Sequence, residues 1–257
     1  MTLARQVFLI AWRSLVRTLR QPGTMIPPLL FPLMLMAVNS NGLRAATHLP
    51  GFPTDSFLAF FIPFSFIQGA LFASGIAGTD LAKDIDTGFM NRLALTPMRG
   101  SALLLGQMGG AVGLGVIQAA LYLLVGILAG VHIESGIAGA FLILLLATLV
   151  CSAFGALGLW MALRTGSTEG VQSMFPLLFF FTFISSMNLP RNLIEVAWFR
   201  DVATANPVSY MIEGLRSLVI EGWNGQALAL GFGLTTALLV LAMTLSARAL
   251  RVRMART

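Results

Sequence analysis

Residues 57–79 read FLAFFIPFSFIQGALFASGIAGT and contain no charged side chain. A helix needs about 20 apolar residues to cross the apolar interior of a bilayer, which is about 30 Å thick. The stretch exceeds that length. It therefore predicts a membrane-spanning helix.

Five further apolar runs have lengths near that of a membrane span. The run nearest the start of the chain is short and is interrupted by Pro27, Pro28 and Pro32. Together with 57–79, the runs predict an all-α membrane protein with six transmembrane helices in a single domain over 1–257. The other five predicted spans are 24–43, 102–131, 136–163, 171–189 and 226–247.

The composition supports a membrane protein and excludes several other classes. Of the 257 residues, 57% are hydrophobic and 10% are charged, against roughly 25% charged residues in an average soluble domain. So few polar groups could not cover the surface of a soluble enzyme, and a disordered chain is excluded too. The net charge of +6 does not indicate nucleic-acid binding, because the positive charge lies beside apolar segments.

The scarce Lys, Cys and His residues exclude three kinds of site. Lys83 is the only lysine and is followed by Asp84, whereas a Walker-type phosphate loop needs Gly-Lys followed by Ser or Thr. Cys151 is the only cysteine, which rules out a disulfide framework. His48 and His132 are too far apart to form a ligand pair, so the sequence predicts no metal site and no ATPase site on this chain.

The basic residues predict the orientation in the membrane. Twelve of the sixteen lie in the N-terminal segment, the 80–101 loop, the 164–170 loop and the C-terminal tail. Four lie in the opposite connections. Because cytoplasmic loops carry the excess of Lys and Arg, we expect both termini to be cytoplasmic in a multi-pass protein of the cell (inner) membrane.

Residues 3–20 have apolar side chains at helical spacing, with Arg13 and Arg17 along another face. This pattern predicts an interfacial helix that lies on the membrane with its arginines facing lipid phosphates. The alternative is a generic anchor whose arginines only follow the positive-inside rule.

The loop after the second span contains a short amphipathic segment over 84–97. Asp84 and Asp86 would favour the start of a helix, and Thr96 with Pro97 would end it. Such a helix below the bilayer is suited to docking into a groove on another protein. A solvated loop of balanced charge is an equal alternative at this point.

Residues 190–221 mix apolar and charged side chains, and the run 207–220 has helical spacing but is too short to span. Irregular backbone at membrane depth must pack on protein or face water, so we expect re-entrant extracellular helices that border a cavity. Glu213 and Arg216, three residues apart, are predicted to pair on one helix face as part of an extracellular gate.

A substrate path is predicted from Phe, Met and polar side chains in three spans. Aromatic and thioether groups suit a lipophilic or aromatic substrate, although the same face could simply contact lipid or a partner subunit. The glycines Gly109, Gly113, Gly126 and Gly130 in the third span predict close helix packing. The predicted path residues are Asn39, Gln68, Ser74, Met174, Phe175, Phe179, Ser185 and Asn188.

The spans hold no carboxylate or lysine at mid-membrane depth. This argues against a proton-coupled pump, which needs an ionisable relay in the bilayer. An intramembrane enzyme would need a catalytic constellation at that depth, and none is seen. An ATP-independent channel remains an alternative.

Three features occur in the order found in one family of membrane proteins: the amphipathic first helix with Trp12 and Arg13, the DIDTGFMNRLALTP element of residues 84–97, and the late Leu189-Pro190, Asn206-Pro207 and Arg216 pattern before the last span. The chain resembles the permease subunit of an ABC exporter of the ABC-2 type, and within that group the antibiotic-resistance and nodulation-export branch.

The resemblance implies a transport subunit that is not itself an enzyme. It implies a second permease chain, as a homodimer or heterodimer, and a separate ATP-binding subunit that carries ATP and Mg. The expected cargo is a lipophilic drug-like or lipid substrate exported by alternating access, or alternatively a lipid-linked glycan. Residues 84–97 would be the coupling helix, with contacts to the ATPase from Asp84, Asp86, Gly88, Asn91, Arg92, Leu93, Thr96 and Pro97. Trp12, Arg13 and Arg17 would belong to the connecting helix.

Overall fold

The computed structural model describes residues 2–94 and 100–254, without the side chains of Asn91, Leu93 and Ala94. The described chain is helical and contains no strand, which confirms the predicted all-α class. The helices are Leu3–Leu19 (α1), Pro22–Gly42 (α2), Phe57–Asp86 (α3), Phe89–Ala94 (α4), Gly100–Leu128 (α5), Gly136–Thr165 (α6), Thr168–Gln172 (α7), Phe175–Phe183 (α8), Ala197–Ala205 (α9), Pro207–Arg216 (α10) and Gly225–Met254 (α11).

Five of these helices, α2, α3, α5, α6 and α11, are long and apolar enough to cross a membrane. The chain is therefore a multi-pass membrane protein. The predicted span 171–189 differs, because it is divided between α7, α8 and an irregular segment after Phe183. Pro176 explains the division, since it has no N–H to donate to the Gln172 carbonyl and so prevents α7 from continuing into α8.

Helix α3 is the centre of the bundle. Its membrane-length window is almost completely buried, and it packs against α2, α5, α6 and α10. A helix that is hydrophobic on every side is suited to such a position. The charge-free residues 57–79 therefore lie at the core of the bundle, and the other helices pack around them.

The proline-rich helix α2 relies on α5 for one of its hydrogen bonds. Because Pro32 has no N–H, the carbonyl of Pro28 lacks its normal partner within the helix. The hydroxyl of Tyr122 and the side-chain amide of Gln118 donate to that carbonyl instead. Side chains of a neighbouring helix thus satisfy a backbone group that the bilayer could not.

Glycines of α5 allow α1 and α3 to pack closely against it. A Cβ atom added at Gly109 would lie 2.5 Å from Cα of Ala11, and one added at Gly126 would collide with Ile62. Gly113 faces Leu15 in the same way, so close packing is confirmed at these three glycines. The prediction of close packing is wrong for Gly130. This residue follows α5 in a left-handed turn with φ of +94°, and a Cβ atom added there would meet nothing within 4 Å.

Substituting Gly109 by alanine should loosen α1 from the bundle, because the added methyl meets backbone rather than a flexible side chain. Overpacking of this kind costs about 1–3 kcal/mol. Thermal unfolding of the detergent-purified protein checks the result. Gly233→Ala in α11 is the matched control, since nothing lies within 4 Å of its added Cβ. Equal unfolding temperatures for the two variants would contradict the packing argument.

Candidate functional site

An ion-pair network joins α1 to the end of α3, and we call it the α1–α3 network: Arg13, Arg17, Asp80, Asp84 and Gln107. Arg13 and Arg17 lie one turn apart on α1 and therefore point the same way. The Asp84 carboxylate accepts two hydrogen bonds from Arg13, at 3.0 and 3.1 Å, and one from Arg17 at 2.8 Å. Arg17 also pairs with Asp80 at 3.4 Å.

Helix α5 completes the α1–α3 network. The side-chain amide of Gln107 donates to Asp84 at 3.0 Å, and its backbone carbonyl accepts from the Ser14 hydroxyl at 3.2 Å. Each carboxylate oxygen of Asp84 thus accepts two bonds, and the residue is only 4% exposed. Charge-assisted and bidentate bonds of this kind are the strongest that side chains form. Three helices are fixed to one another at one buried carboxylate.

The same network contacts α4. The guanidinium carbon of Arg13 lies 3.9 Å from the ring centroid of Phe89, the first residue of α4. This is within the range of a cation–π interaction. Arg13 therefore touches both the buried carboxylate of α3 and the short helix that follows it.

The predicted coupling residues are divided among several environments. The predicted helix over 84–97 begins later than expected, because α3 continues to Asp86 and Gly88 then turns the chain with φ of +69°. Asp84 is buried in the network, whereas Asp86 is exposed. Arg92 is exposed and donates to the Thr87 carbonyl at 3.4 Å. The side chains of Asn91 and Leu93, and both Thr96 and Pro97, lie outside the described residues.

The expectation that the arginines of α1 face lipid phosphates is wrong for Arg13 and Arg17, because both bind acids of α3. The helix itself coincides with the predicted segment. Its outward side carries apolar groups instead, with Trp12 58% exposed and stacked at 6.5 Å on Phe8. The polar side of α1 is thus its protein-facing side.

Part of the predicted substrate path lines one cavity. Ser74, Met174 and Phe175 border an apolar space of about 280 Å³ between α3 and the α7–α8 segment. The Ser74 hydroxyl is buried and has no hydrogen-bond partner in the described structure. Phe179 stacks on Phe175 with their ring centroids 5.9 Å apart.

The remaining path residues are elsewhere. Gln68 is completely buried, and neither of its amide atoms has a partner among the described residues. Asn39 donates to Leu35 of its own helix at 2.9 Å. Ser185 and Asn188 border a different cavity of about 560 Å³ at the other end of the bundle. The structure therefore divides the predicted path into separate places.

At that other end, the predicted Glu213–Arg216 pair is wrong. Glu213 is bound by Arg191 through two hydrogen bonds of 2.6 and 2.7 Å. Arg216 is only 4% exposed and donates to three backbone carbonyls, those of Phe60, Ser186 and Met187. Its guanidinium carbon also lies 3.5 Å from the Phe60 ring centroid.

Sequence reasoning missed Arg191, Asp80 and Gln107 as partners. Arg191 is only two residues after the predicted fifth span, in the same predicted extracellular segment as Glu213. Its position there indicated a second possible partner for Glu213. Asp80 lies four residues before Asp84, so both acids share one helix face. Gln107 gave no signal in the sequence.

Comparison with known proteins agrees with these observations. Residues 5–220 match the family described as ABC-2 type transporter. The chain is 26% identical over 215 residues to the daunorubicin resistance ABC transporter permease protein of Streptomyces coeruleorubidus, covering 81% of this chain and 72% of that protein. The family match extends from α1 through the Arg216 region. The chain therefore belongs to the ABC-2 type transporter family.

Proposed function

We propose that this chain is the transmembrane permease subunit of an ATP-driven ABC exporter that moves a lipophilic drug-like or lipid substrate out of the cytoplasm or inner leaflet. The observation that carries the proposal is the contact of Arg13 with both Asp84 and Phe89, since it connects a short helix at the membrane edge to three helices of the bundle. Family membership and the name of the drug-resistance relative support the same function.

The proposal includes six membrane crossings with both termini in the cytoplasm. Support comes from two links between residues 171–187 and α3, one direct and one through Arg216 of α10. Val171 touches the position of Gly78, and Arg216 bonds the carbonyls of both Phe60 and Met187. Phe60 and Gly78 are about 27 Å apart along a helix, nearly the thickness of the bilayer core, which supports residues 171–187 as the additional crossing.

In this mechanism α4 is the coupling helix and rests on a partner subunit that binds ATP and Mg. A push on α4 reaches Phe89 and Arg13, and through Asp84 it reaches α1, α3 and α5 together. A second permease chain completes the path, and the two halves alternate between inward and outward access. The exposed Asp86 and Arg92 belong to the docking surface for the ATPase in this scheme.

The test uses the tagged chain co-expressed with the ATP-binding subunit encoded beside it. Wild-type protein should recover vanadate-sensitive ATPase activity. Arg92→Glu should lower the recovered activity by about two- to fivefold, the effect of one exposed charge contact, without changing the unfolding temperature.

Arg44→Glu is the matched control, because Arg44 is also an exposed arginine but lies at the opposite end of the bundle. A chain that elutes alone under every condition, or an equal loss for the two arginine variants, would overturn the coupling proposal.

A further inference from the structure

A polar cavity of about 620 Å³ lies at the end of the bundle where α3 and α11 begin, and we call it the polar cavity. Phe60 in the first turn of α3 and Ala227 in the first turn of α11 both border it. Each of these helices has 30 residues and is therefore about 45 Å long, roughly the thickness of a bilayer with its headgroups. The polar cavity thus lies at the depth of the lipid headgroups.

The charges around the polar cavity leave it positive. Among the described residues, three arginines and two acids border it. Glu213 is already bound by Arg191 at 2.6 Å, so that pair adds no net charge. Glu221 is exposed and takes part in no ion pair of the described chain. With Arg200 and Arg216 counted against Glu221, the described lining carries an excess of one positive charge.

Arg216 keeps one terminal nitrogen, Nη1, that bonds to none of the described residues. A guanidinium has five N–H donors, and the bonds of Arg216 to the carbonyls of Phe60, Ser186 and Met187 come from Nε and Nη2 alone. Nη1 is also absent from the completely buried atoms that lack a partner in the described structure. Since Arg216 borders the polar cavity, two fixed N–H groups are available to a ligand there.

Two further groups add positive potential to the same space. Arg200 on α9 is exposed, and its guanidinium forms no ion pair or hydrogen bond within the described chain. Helix α11 begins at Gly225, and its second residue, Gln226, borders the polar cavity. The first N–H groups of a helix lack partners within it and form the positive end of its dipole. The polar cavity therefore combines two arginines with the start of a long helix.

We propose that the polar cavity binds a phosphate-type anion at the membrane surface, between Nη1 of Arg216 and the guanidinium of Arg200. Arginine suits phosphate because its planar fork can donate two N–H groups to two oxygens. A bound anion ties α9 to α10 and, through the bonds of Arg216 to Phe60 and Met187, to α3 and the segment after α8. The site goes beyond the proposed export function, because it needs neither cargo nor ATPase.

The experiment measures the unfolding temperature of the full detergent-purified chain while three probes are titrated at constant ionic strength. Dioctanoyl phosphatidylglycerol carries a net negative phosphodiester, and dioctanoyl phosphatidylcholine carries the same phosphate with its charge balanced. Inorganic phosphate has no acyl chains. A ligand that binds only the folded state raises the unfolding temperature with concentration, which gives its Kd.

We expect phosphatidylglycerol to bind at least about fivefold more tightly than phosphatidylcholine, as one partly exposed ion pair allows. Stabilisation by inorganic phosphate as well as by phosphatidylglycerol would identify a soluble anion as a sufficient ligand. Stabilisation by phosphatidylglycerol alone would identify a lipid headgroup. Both results support the anion site and differ only in the source of the phosphate.

Variants at four exposed residues locate the site without disturbing the core. Arg200→Gln should weaken binding of the anionic probe about fivefold, whereas Arg44→Gln should retain it, because Arg44 does not border the polar cavity. Glu221→Gln should strengthen binding, since it removes an acid that repels the anion. Glu195→Gln is its matched control, because Glu195 borders a different cavity.

Equal affinities for the two lipids together with no response to inorganic phosphate would overturn the inference. So would equal effects of Arg200→Gln and Arg44→Gln, since any loss would then reflect only the net charge of the protein. Because the assay contains no ATPase, each of these results leaves the coupling proposal to its own test.

Discussion

Asp84→Asn is expected to lower the ATPase activity of the assembled complex by about tenfold, equal to ~1.4 kcal/mol of lost coupling. The substitution keeps the shape of the side chain but removes the charge that holds Arg13 and Arg17. Arg13 would then leave both the carboxylate and Phe89, so that a push on α4 no longer reaches α1. Vanadate-sensitive hydrolysis by the co-purified subunits measures the effect.

The same variant should also be less stable. Removing one partner of a buried pair costs about 3–5 kcal/mol, and the partial exposure of both arginines reduces this to about 2–3 kcal/mol. For a chain of this size we expect the unfolding temperature to fall by about 4–12 °C.

Asp86→Asn is the matched control, since Asp86 lies two residues away, is exposed, and takes no part in the α1–α3 network. Its unfolding temperature should equal that of the wild type, even if docking of the ATPase weakens. A stable, fully coupled Asp84→Asn protein would remove the network from the mechanism.

Arg216→Met is expected to give the largest loss of stability at the end of the bundle that contains Arg191 and Glu213. Methionine fills a similar volume but donates no hydrogen bond, so the carbonyls of Ser186 and Met187 lose their donor. The substitution also removes the free-energy cost of burying a charged guanidinium, which offsets part of this loss of stability. Because a stranded buried carbonyl costs about 1–3 kcal/mol, we expect a net loss of about 3 kcal/mol and an unfolding temperature about 6–12 °C lower.

Arg216→Lys should fall between the wild type and Arg216→Met, since an ammonium cannot reproduce the planar fork that bonds three carbonyls. Arg200→Met is the control, because Arg200 is an exposed arginine that borders the same polar cavity. An Arg216→Met protein that unfolds within about 2 °C of the wild type, less than ~1 kcal/mol, would show that these bonds contribute little.

The sequence predicted what depends on local pattern. Charge-free runs of membrane length located α3, α5, α6 and α11, and helical spacing located α1, because burial and periodicity act over a few turns. The glycines of α5 were also identified correctly as packing sites, apart from Gly130. These properties are encoded within a single helix.

What the sequence could not predict depends on which helices meet. Arg13 and Asp84 are 71 residues apart, and the helical pattern of α1 predicted lipid phosphates as the partner of Arg13. Glu213 had an arginine three residues away but binds Arg191, 22 residues away. Neither true partner was predicted, because contacts between distant segments leave no periodic signal in the sequence.

The carbonyl of Pro28 has a consequence for how the protein is made. Its donor Tyr122 is 94 residues later in the chain, which takes roughly 5–20 s to synthesise at typical translation rates. During that interval the first span emerges from the ribosome with an unsatisfied backbone group. An unpaired carbonyl costs free energy inside the bilayer, so we expect α2 to enter the lipid less readily before α5 arrives.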